Sequence, residues 1–124
     1  MTKRILIVDD EADVREITKL GLEMGTDWTV LTASSGTEAL TLAAEESPDA
    51  ILLDMMMPDM DGRATLQKLK GQESTRTIPV ILVTAKAQQS NLADFQDLDV
   101  AAIVAKPFRP LKLAAEISKF LGWG

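Results

Sequence analysis

Five short apolar runs alternate along the chain with stretches in which apolar and polar residues mix. The runs predict β-strands at about 4–9, 29–33, 50–54, 79–84 and 101–105. Most of them lack a regular polar alternation, so the strands are expected to be buried on both faces, as in a parallel sheet covered by helices. The pattern therefore predicts an α/β fold built from repeating strand–helix units.

The stretches between the runs predict five helices whose apolar residues recur at helical spacing. The residues expected to face the sheet are Val14, Ile17, Leu20 and Met24; Ala39, Leu40 and Ala43; Leu66 and Leu69; Leu92, Phe95 and Leu98; and Leu113, Ile117, Phe120 and Leu121. The expected helix boundaries are at Gly25, at Ser35 and Pro48, at Asp61 and Gly71, and at Pro110 and Gly122. The fourth stretch is otherwise polar, and we expect that helix to be mobile.

Composition excludes several kinds of chemistry. The chain has no cysteine and no histidine, which excludes disulfides, thiolate nucleophiles, thiolate metal sites and imidazole bases. Its net charge of −6 disfavours nonspecific binding to nucleic acid or to an anionic membrane. No apolar run approaches the roughly 20 residues of a membrane span, and the N-terminus lacks the apolar core of a signal peptide. We therefore expect a cytoplasmic protein whose partners are proteins.

Polar side chains follow four of the five predicted strands. Asp9 and Asp10 follow the first strand, Asp54 ends the third, Thr84 ends the fourth and Lys106 follows the fifth. Each alone could be a turn residue. In an open parallel sheet, however, the carboxyl ends of the strands meet at one edge, where ligands bind. Together the five residues predict a site at that edge.

The residue types at this edge suit phosphoryl transfer. Neighbouring carboxylates repel one another unless a cation lies between them, and Mg²⁺ is a hard cation that keeps some of its waters and binds phosphoryl oxygens. Lys106 supplies a positive charge and Thr84 a hydroxyl, both suited to phosphoryl oxygens. Asp54 is then the expected nucleophile, because carboxylates can form acyl phosphates.

Four ordered motifs resemble the receiver domain of two-component response regulators, of the stand-alone, single-domain type. The motifs are VDDE at 8–11, the segment from LD to PDMDG at 53–62, IPVILVTA at 78–85 and KPF at 106–108. The intervals from Asp10 to Asp54, from Asp54 to Thr84 and from Thr84 to Lys106 are 44, 30 and 22 residues, as in that family. The resemblance covers nearly the whole chain.

The resemblance implies a three-layer αβα, flavodoxin-like fold. Its doubly wound five-stranded parallel sheet would have the strand order 2-1-3-4-5, and one receiver domain would fill residues 1–124 with no output domain. The resemblance also implies that Asp54 accepts a phosphoryl group from a phosphohistidine on a sensor histidine kinase or a histidine phosphotransfer protein. By the same resemblance, Asp10, Asp54 and the backbone carbonyl of Met56 bind Mg²⁺ directly, and Asp9 acts through the waters of the metal.

The resemblance also assigns roles to the two remaining site residues. Lys106 would pair with Asp54 and then with the phosphate, and Thr84 would move toward a phosphoryl oxygen. That movement alters the surface formed by the fourth helix, the fifth strand and the fifth helix, which binds a downstream protein target. The resemblance thus implies a phosphoacceptor signalling domain that assists its own phosphorylation and dephosphorylation, rather than an enzyme with a separate substrate.

Two other functions are compatible with parts of the pattern. Aspartate-nucleophile phosphatases use the same residue types, but they place a second Asp two residues after the nucleophile, where this chain has Met56. A receiver-like adaptor that is never phosphorylated would have no need for mutually repelling carboxylates. One departure from the family concerns Ile103, which lies where many members have an aromatic residue that moves together with the Thr.

Overall fold

A computed structural model describes residues 3–24, 26–55, 62–84, 100–105 and 108–123. The elements in these ranges are β1 (Arg4–Val8), α1 (Ala12–Glu23), β2 (Thr29–Ala33), α2 (Gly36–Glu46), β3 (Ala50–Asp54), α3 (Gly62–Gly71), β4 (Val80–Thr84), β5 (Ala102–Ala105) and α4 (Pro110–Leu121). Helix α4 corresponds to the fifth helix of the sequence prediction. The predicted fourth helix, with Leu92, Phe95 and Leu98, lies outside the described residues.

The five strands form one parallel sheet in the order β2-β1-β3-β4-β5. This order is the predicted one, and the strand bounds agree with the prediction to within one residue. Because β1 pairs with both β2 and β3, the order of the strands reverses beside β1, and ligands bind outside the carboxyl ends of the strands at such a point. In the described part of the chain, no helix has the length and apolar character needed to cross a membrane.

The core lies in two layers because successive residues of a strand point to opposite faces of the sheet. The cluster on one face includes Leu6, Val8, Ile51, Leu53 and Leu82 from the strands, with Ala39, Ala43, Leu66 and Leu69 from α2 and α3. The cluster on the other face includes Ile5, Ile7, Leu52, Ile81 and Val83 from the strands, with Leu22, Leu113 and Ile117 from α1 and α4. The three-layer αβα architecture is thereby confirmed.

The helix boundaries follow local chemistry. Ser35 precedes α2, and its hydroxyl accepts a hydrogen bond of 3.1 Å from the backbone N–H of Glu38, which satisfies one of the free donors of the first turn. Helix α4 ends at Gly122, whose φ of 69° is open to glycine at little cost. The predicted boundary residues Gly25 and Asp61 lie outside the described residues.

The prediction of which face of α1 is buried is wrong. Three residues of the predicted stripe are largely exposed, namely Ile17 (57%), Leu20 (58%) and Met24 (55%). The buried residues of α1 are Thr18, Gly21 and Leu22. A Cβ at Gly21 would lie 2.6 Å from both the Cβ and the carbonyl oxygen of Pro110. Helix α4 therefore packs closely against the glycine side of α1, and this contact turns the apolar stripe toward solvent.

Helix α4 follows the prediction except at Phe120. Leu113 and Ile117 are buried as predicted, but Phe120 is 43% exposed. The space beside the end of the helix is filled by Trp123, which packs edge-on against Trp28 with ring centroids 5.5 Å apart. Because the two tryptophans cover that part of the core, Phe120 remains at the surface.

Candidate functional site

Two neighbouring strands bring the predicted carboxylates together. Val8 of β1 lies opposite Leu53 of β3, so the residues that follow them, Asp9 and Asp54, emerge side by side at the carboxyl edge of the sheet. Asp9 is buried, Asp54 is only 2% exposed and Asp10 is exposed. One carboxylate oxygen from each of the three lies within 4.8 Å of the others. The structure thus assembles an acidic cluster from residues far apart in sequence.

Asp9 is held in place by backbone contacts. Its Oδ1 accepts a hydrogen bond of 2.9 Å from the N–H of Glu11, and its own N–H donates to the carbonyl of Ala33 at 3.1 Å. Arg15 reaches back from α1 and donates to the carbonyl of Asp9 at 2.7 Å. These bonds fix the turn between β1 and α1 and orient the Asp9 carboxylate before any ligand binds.

Thr84 ends β4 on the same edge of the sheet. In the register of β3 with β4, Asp54 lies opposite Val83, so Thr84 is the next residue along that edge, and it is buried. Of the six residues predicted for the site, the structure thus describes the three aspartates and Thr84. Met56 and Lys106 lie outside the described residues, and the predictions for them stay predictions.

The start of α3 contacts the end of β3 directly. The N–H of Gly62 donates to the carbonyl of Met55 at 3.1 Å, and the N–H of Met55 donates to the carbonyl of Val83 at 3.0 Å. A Cβ at Gly62 would lie 2.7 Å from both the carbonyl oxygen of Asp54 and the Cα of Met55. Only glycine permits this approach, and the approach supports the backbone that carries Asp54.

A small cavity beneath the carboxylates contains a residue that the sequence reasoning missed. The cavity has a volume of about 10 Å³ and is lined by Thr18, Asp9, Asp54 and Phe108 together with apolar residues of the three central strands. Thr18 is a buried residue of α1. Thr18 lies one helical turn before Leu22 on the same face of α1, but the sequence alone does not indicate that this face is the buried one.

The cluster has the donor set that Mg²⁺ requires. Its ligand atoms are carboxylate oxygens, which are the hard ligands that this ion prefers. Two of the carboxylates are buried and the third is exposed, so one side of the site is open to solvent, as suits an ion that retains several waters. The acidic pocket therefore fits a magnesium ion and a phosphoryl acceptor.

Comparison with known proteins confirms the predicted fold and the predicted family. The family model described as the response regulator receiver domain matches residues 5–118. The chain is 40% identical over 121 residues to the phosphate regulon transcriptional regulatory protein PhoB of Pseudomonas aeruginosa. The match covers 96% of this chain and 52% of PhoB. It is 41% identical over 119 residues to the response regulator PleD of Caulobacter vibrioides. That match covers 94% of this chain and 26% of PleD.

Solved structures give the same result. The N-terminal domain of a response regulator receiver protein from Methanoculleus marisnigri has 34% identity and a TM-score of 0.78, with 96% of each chain covered. The receiver domain of a sensor histidine kinase from Pseudomonas aeruginosa has 26% identity and a TM-score of 0.85, covers 98% of this chain and 99% of that one, and is described with a magnesium ion coordinated in its active site cleft.

The chain spans about half the length, or less, of the curated relatives it matches. The match nevertheless extends over almost the whole of this sequence. Receiver domains act as phosphoacceptor signalling domains and take their phosphoryl groups from histidine kinases. The chain belongs to the response regulator receiver domain family.

Proposed function

We propose that Asp54 accepts the phosphoryl group from a phosphohistidine on a sensor histidine kinase or a histidine phosphotransfer protein. The observation that carries the proposal is the position of Asp54, which is buried at the end of β3 with a carboxylate oxygen within 4.8 Å of two further carboxylates. In the transfer, a carboxylate oxygen of Asp54 forms a bond to phosphorus while the bond from phosphorus to the imidazole nitrogen breaks. The product is an acyl phosphate, and the histidine that the chain lacks is supplied by the partner.

The acidic cluster is proposed to hold Mg²⁺ through Asp10, Asp54 and the backbone carbonyl of Met56, with Asp9 acting through the waters of the ion. When bound, the ion supplies charge neutralisation for the carboxylates and for the phosphoryl oxygens. Asp9 is suited to a stationary role, since its carboxylate is already fixed by the N–H of Glu11 at 2.9 Å. The finer division of roles among the three aspartates is part of the proposal.

Thr84 and Lys106 are proposed to respond to the phosphoryl group. The position of Thr84 at the end of the strand beside β3 supports a role for its hydroxyl as a donor to a phosphoryl oxygen on Asp54. Lys106 would pair with Asp54 and then with the phosphate. These two donors would also assist the self-catalysed gain and loss of the phosphoryl group by the domain.

The output is proposed to be a change in a protein-binding surface formed by the predicted fourth helix, β5 and α4. Phe120 of α4 is 43% exposed and supplies an apolar side chain on one of these elements. The downstream partner is proposed to be a protein rather than nucleic acid, because the net charge of −6 opposes binding to phosphate backbones. A cytoplasmic location is part of the same proposal. A single receiver domain without an output domain stays a prediction.

The test is intact mass after incubation with acetyl phosphate and Mg²⁺. Wild type is expected to gain the mass of one phosphoryl group, and the gain should vanish with excess chelator. Asp54→Asn should show no gain, whereas Asp13→Asn, which removes an exposed carboxylate in the first turn of α1, should behave as wild type.

Each alternative function has its own outcome in this experiment. A gain that persists in Asp54→Asn would refute the assignment of the acceptor. No gain in wild type, under conditions that label another receiver domain, would favour the adaptor. Continuous release of inorganic phosphate from many equivalents of donor, without a lasting mass gain, would favour a phosphatase.

A further inference from the structure

Thr18 is an unusual residue for the middle of a buried helix face. It is 2% exposed and lies on the side of α1 that packs against the sheet, one turn before the fully buried Leu22. A buried hydroxyl without a hydrogen bond costs free energy that an apolar side chain of the same shape would avoid. The presence of a threonine here therefore requires a polar partner.

That partner is not another described residue. Across the ranges that the structure describes, no hydrogen bond of the Thr18 hydroxyl is found. In the same ranges, every fully buried side-chain oxygen has a hydrogen-bond partner. The small exposed part of Thr18 therefore includes its hydroxyl, and the space that Thr18 borders is the cavity it shares with Asp9 and Asp54.

The size and lining of this cavity fit one water molecule. Its volume is about 10 Å³, which is close to the roughly 10–15 Å³ that a single water requires. A buried water also needs two to four polar partners, and the lining supplies three in Thr18, Asp9 and Asp54. A water in this position would add a hydrogen bond to buried charged groups, which lowers the free-energy cost of burying them.

We propose that the Thr18 hydroxyl and the Asp54 carboxylate share one buried water molecule, and that this water orients the carboxylate for phosphoryl transfer. The hydroxyl donates its hydrogen to the water, and the water donates one hydrogen to a carboxylate oxygen of Asp54 and the other to Asp9. Every donor in the set is then used. The orienting role rests on the proposed function of Asp54, and in it Thr18 is a positioning residue because it acts through the water.

This arrangement has a mechanistic consequence for Asp54. A carboxylate that accepts a hydrogen bond from a fixed water loses rotational freedom. Less conformational entropy is then lost when the phosphoryl donor binds. The hydrogen bond from the water would fix the rotation of the carboxylate about its Cβ–Cγ bond and so set the direction of the oxygen that attacks phosphorus. Loss of the donor hydroxyl should slow phosphorylation without unfolding the domain, because valine has the shape of threonine and suits a buried helix face.

The experiment compares wild type with Thr18→Val and Thr18→Ser. Crystal structures at a resolution that shows ordered water are expected to contain the water in wild type and Thr18→Ser and to lack it in Thr18→Val. With acetyl phosphate at saturating Mg²⁺, the rate constant for phosphorylation of Thr18→Val should fall about three- to tenfold, the factor that corresponds to one net hydrogen bond. Thr18→Ser should restore most of the rate, which a purely structural role of the methyl group would not allow.

Thr41→Val is the matched control, because it removes a hydroxyl from the exposed part of α2, where the hydroxyl donates only to the carbonyl of Thr37. It should leave the rate unchanged. The proposal is overturned if the wild-type cavity holds no water, if Thr18→Val keeps the wild-type rate, or if Thr18→Ser is as slow as Thr18→Val. Failure of the proposed function looks different, because wild type itself would then gain no phosphoryl group, and the orienting role would fall with it.

Discussion

Replacement of Gly62 by alanine tests whether the start of α3 supports the acceptor residue. A Cβ at this position would lie 2.7 Å from the carbonyl oxygen of Asp54 and from the Cα of Met55. Carbon atoms in contact are normally about 3.5–4.0 Å apart, so α3 or the end of β3 must move. Both opposing atoms belong to the backbone, and neither can rotate away as a flexible side chain would.

The expected cost follows from two opposing contributions. Overpacking of this kind costs about 1–3 kcal/mol, whereas alanine in place of glycine in a helix gains about 0.5–1 kcal/mol. The free energy of unfolding should therefore fall by about 1–2 kcal/mol, which lowers the urea midpoint by about 1 M for a domain of this size. Because the displaced backbone carries Asp54, the rate of phosphorylation by acetyl phosphate should also fall. This rate is measured without urea, where the variant is folded.

Gly71→Ala is the matched control, since a Cβ there would meet nothing within 4 Å. It should unfold at the same urea concentration as wild type or at a higher one. The reasoning would be refuted if Gly62→Ala had a midpoint equal to that of Gly71→Ala. It would also be refuted if Gly62→Ala were destabilised but phosphorylated at the wild-type rate.

Three further predictions follow from the cluster and the helices. Asp10→Asn removes one of the three carboxylates and should raise the Mg²⁺ dissociation constant about tenfold by calorimetric titration, a loss of about 1.4 kcal/mol; an unchanged constant would remove Asp10 from the ligand set. Leu22→Ala should lower the free energy of unfolding by about 2–5 kcal/mol, whereas Leu20→Ala should lower it by less than about 0.5 kcal/mol. Equal losses in urea titrations would contradict the observed orientation of α1. Ser35→Ala should cost about 1 kcal/mol and Ser35→Gly only a few tenths, as judged by thermal unfolding, and a larger loss for Gly would argue against the cap.

The strands and the acidic cluster could be predicted because their signals are local and strong. The run from Ala50 to Leu53 is entirely apolar and is flanked by Asp49 and Asp54, so few alternative boundaries exist. Once the strands are placed in a parallel sheet, topology alone brings their carboxyl ends to one edge. The meeting of Asp9 with Asp54 then needs no knowledge of side-chain packing.

The orientation of α1 and the position of Thr18 could not be predicted because they depend on packing between helices. Apolar spacing identifies a stripe, but Ile17 and Leu20 show that a stripe need not face the core. The decisive contact is that of Gly21 with Pro110, and the absence of a side chain leaves no hydrophobic signal in the sequence. A threonine on a helix is commonly a solvent-facing residue, so only the packed helix shows that Thr18 borders the cavity.

The acidic cluster also affects the stability of the folded chain. Bringing three carboxylates within 4.8 Å of one another raises the electrostatic free energy of the folded chain, while the unfolded chain keeps them far apart. A cation that binds only to the folded chain offsets this repulsion, by about 2.7 kcal/mol at a hundred times its dissociation constant. The melting temperature of the domain is therefore expected to rise with the free concentration of such a cation. The ion that the proposed phosphoryl transfer needs would then also set the resistance of the domain to unfolding.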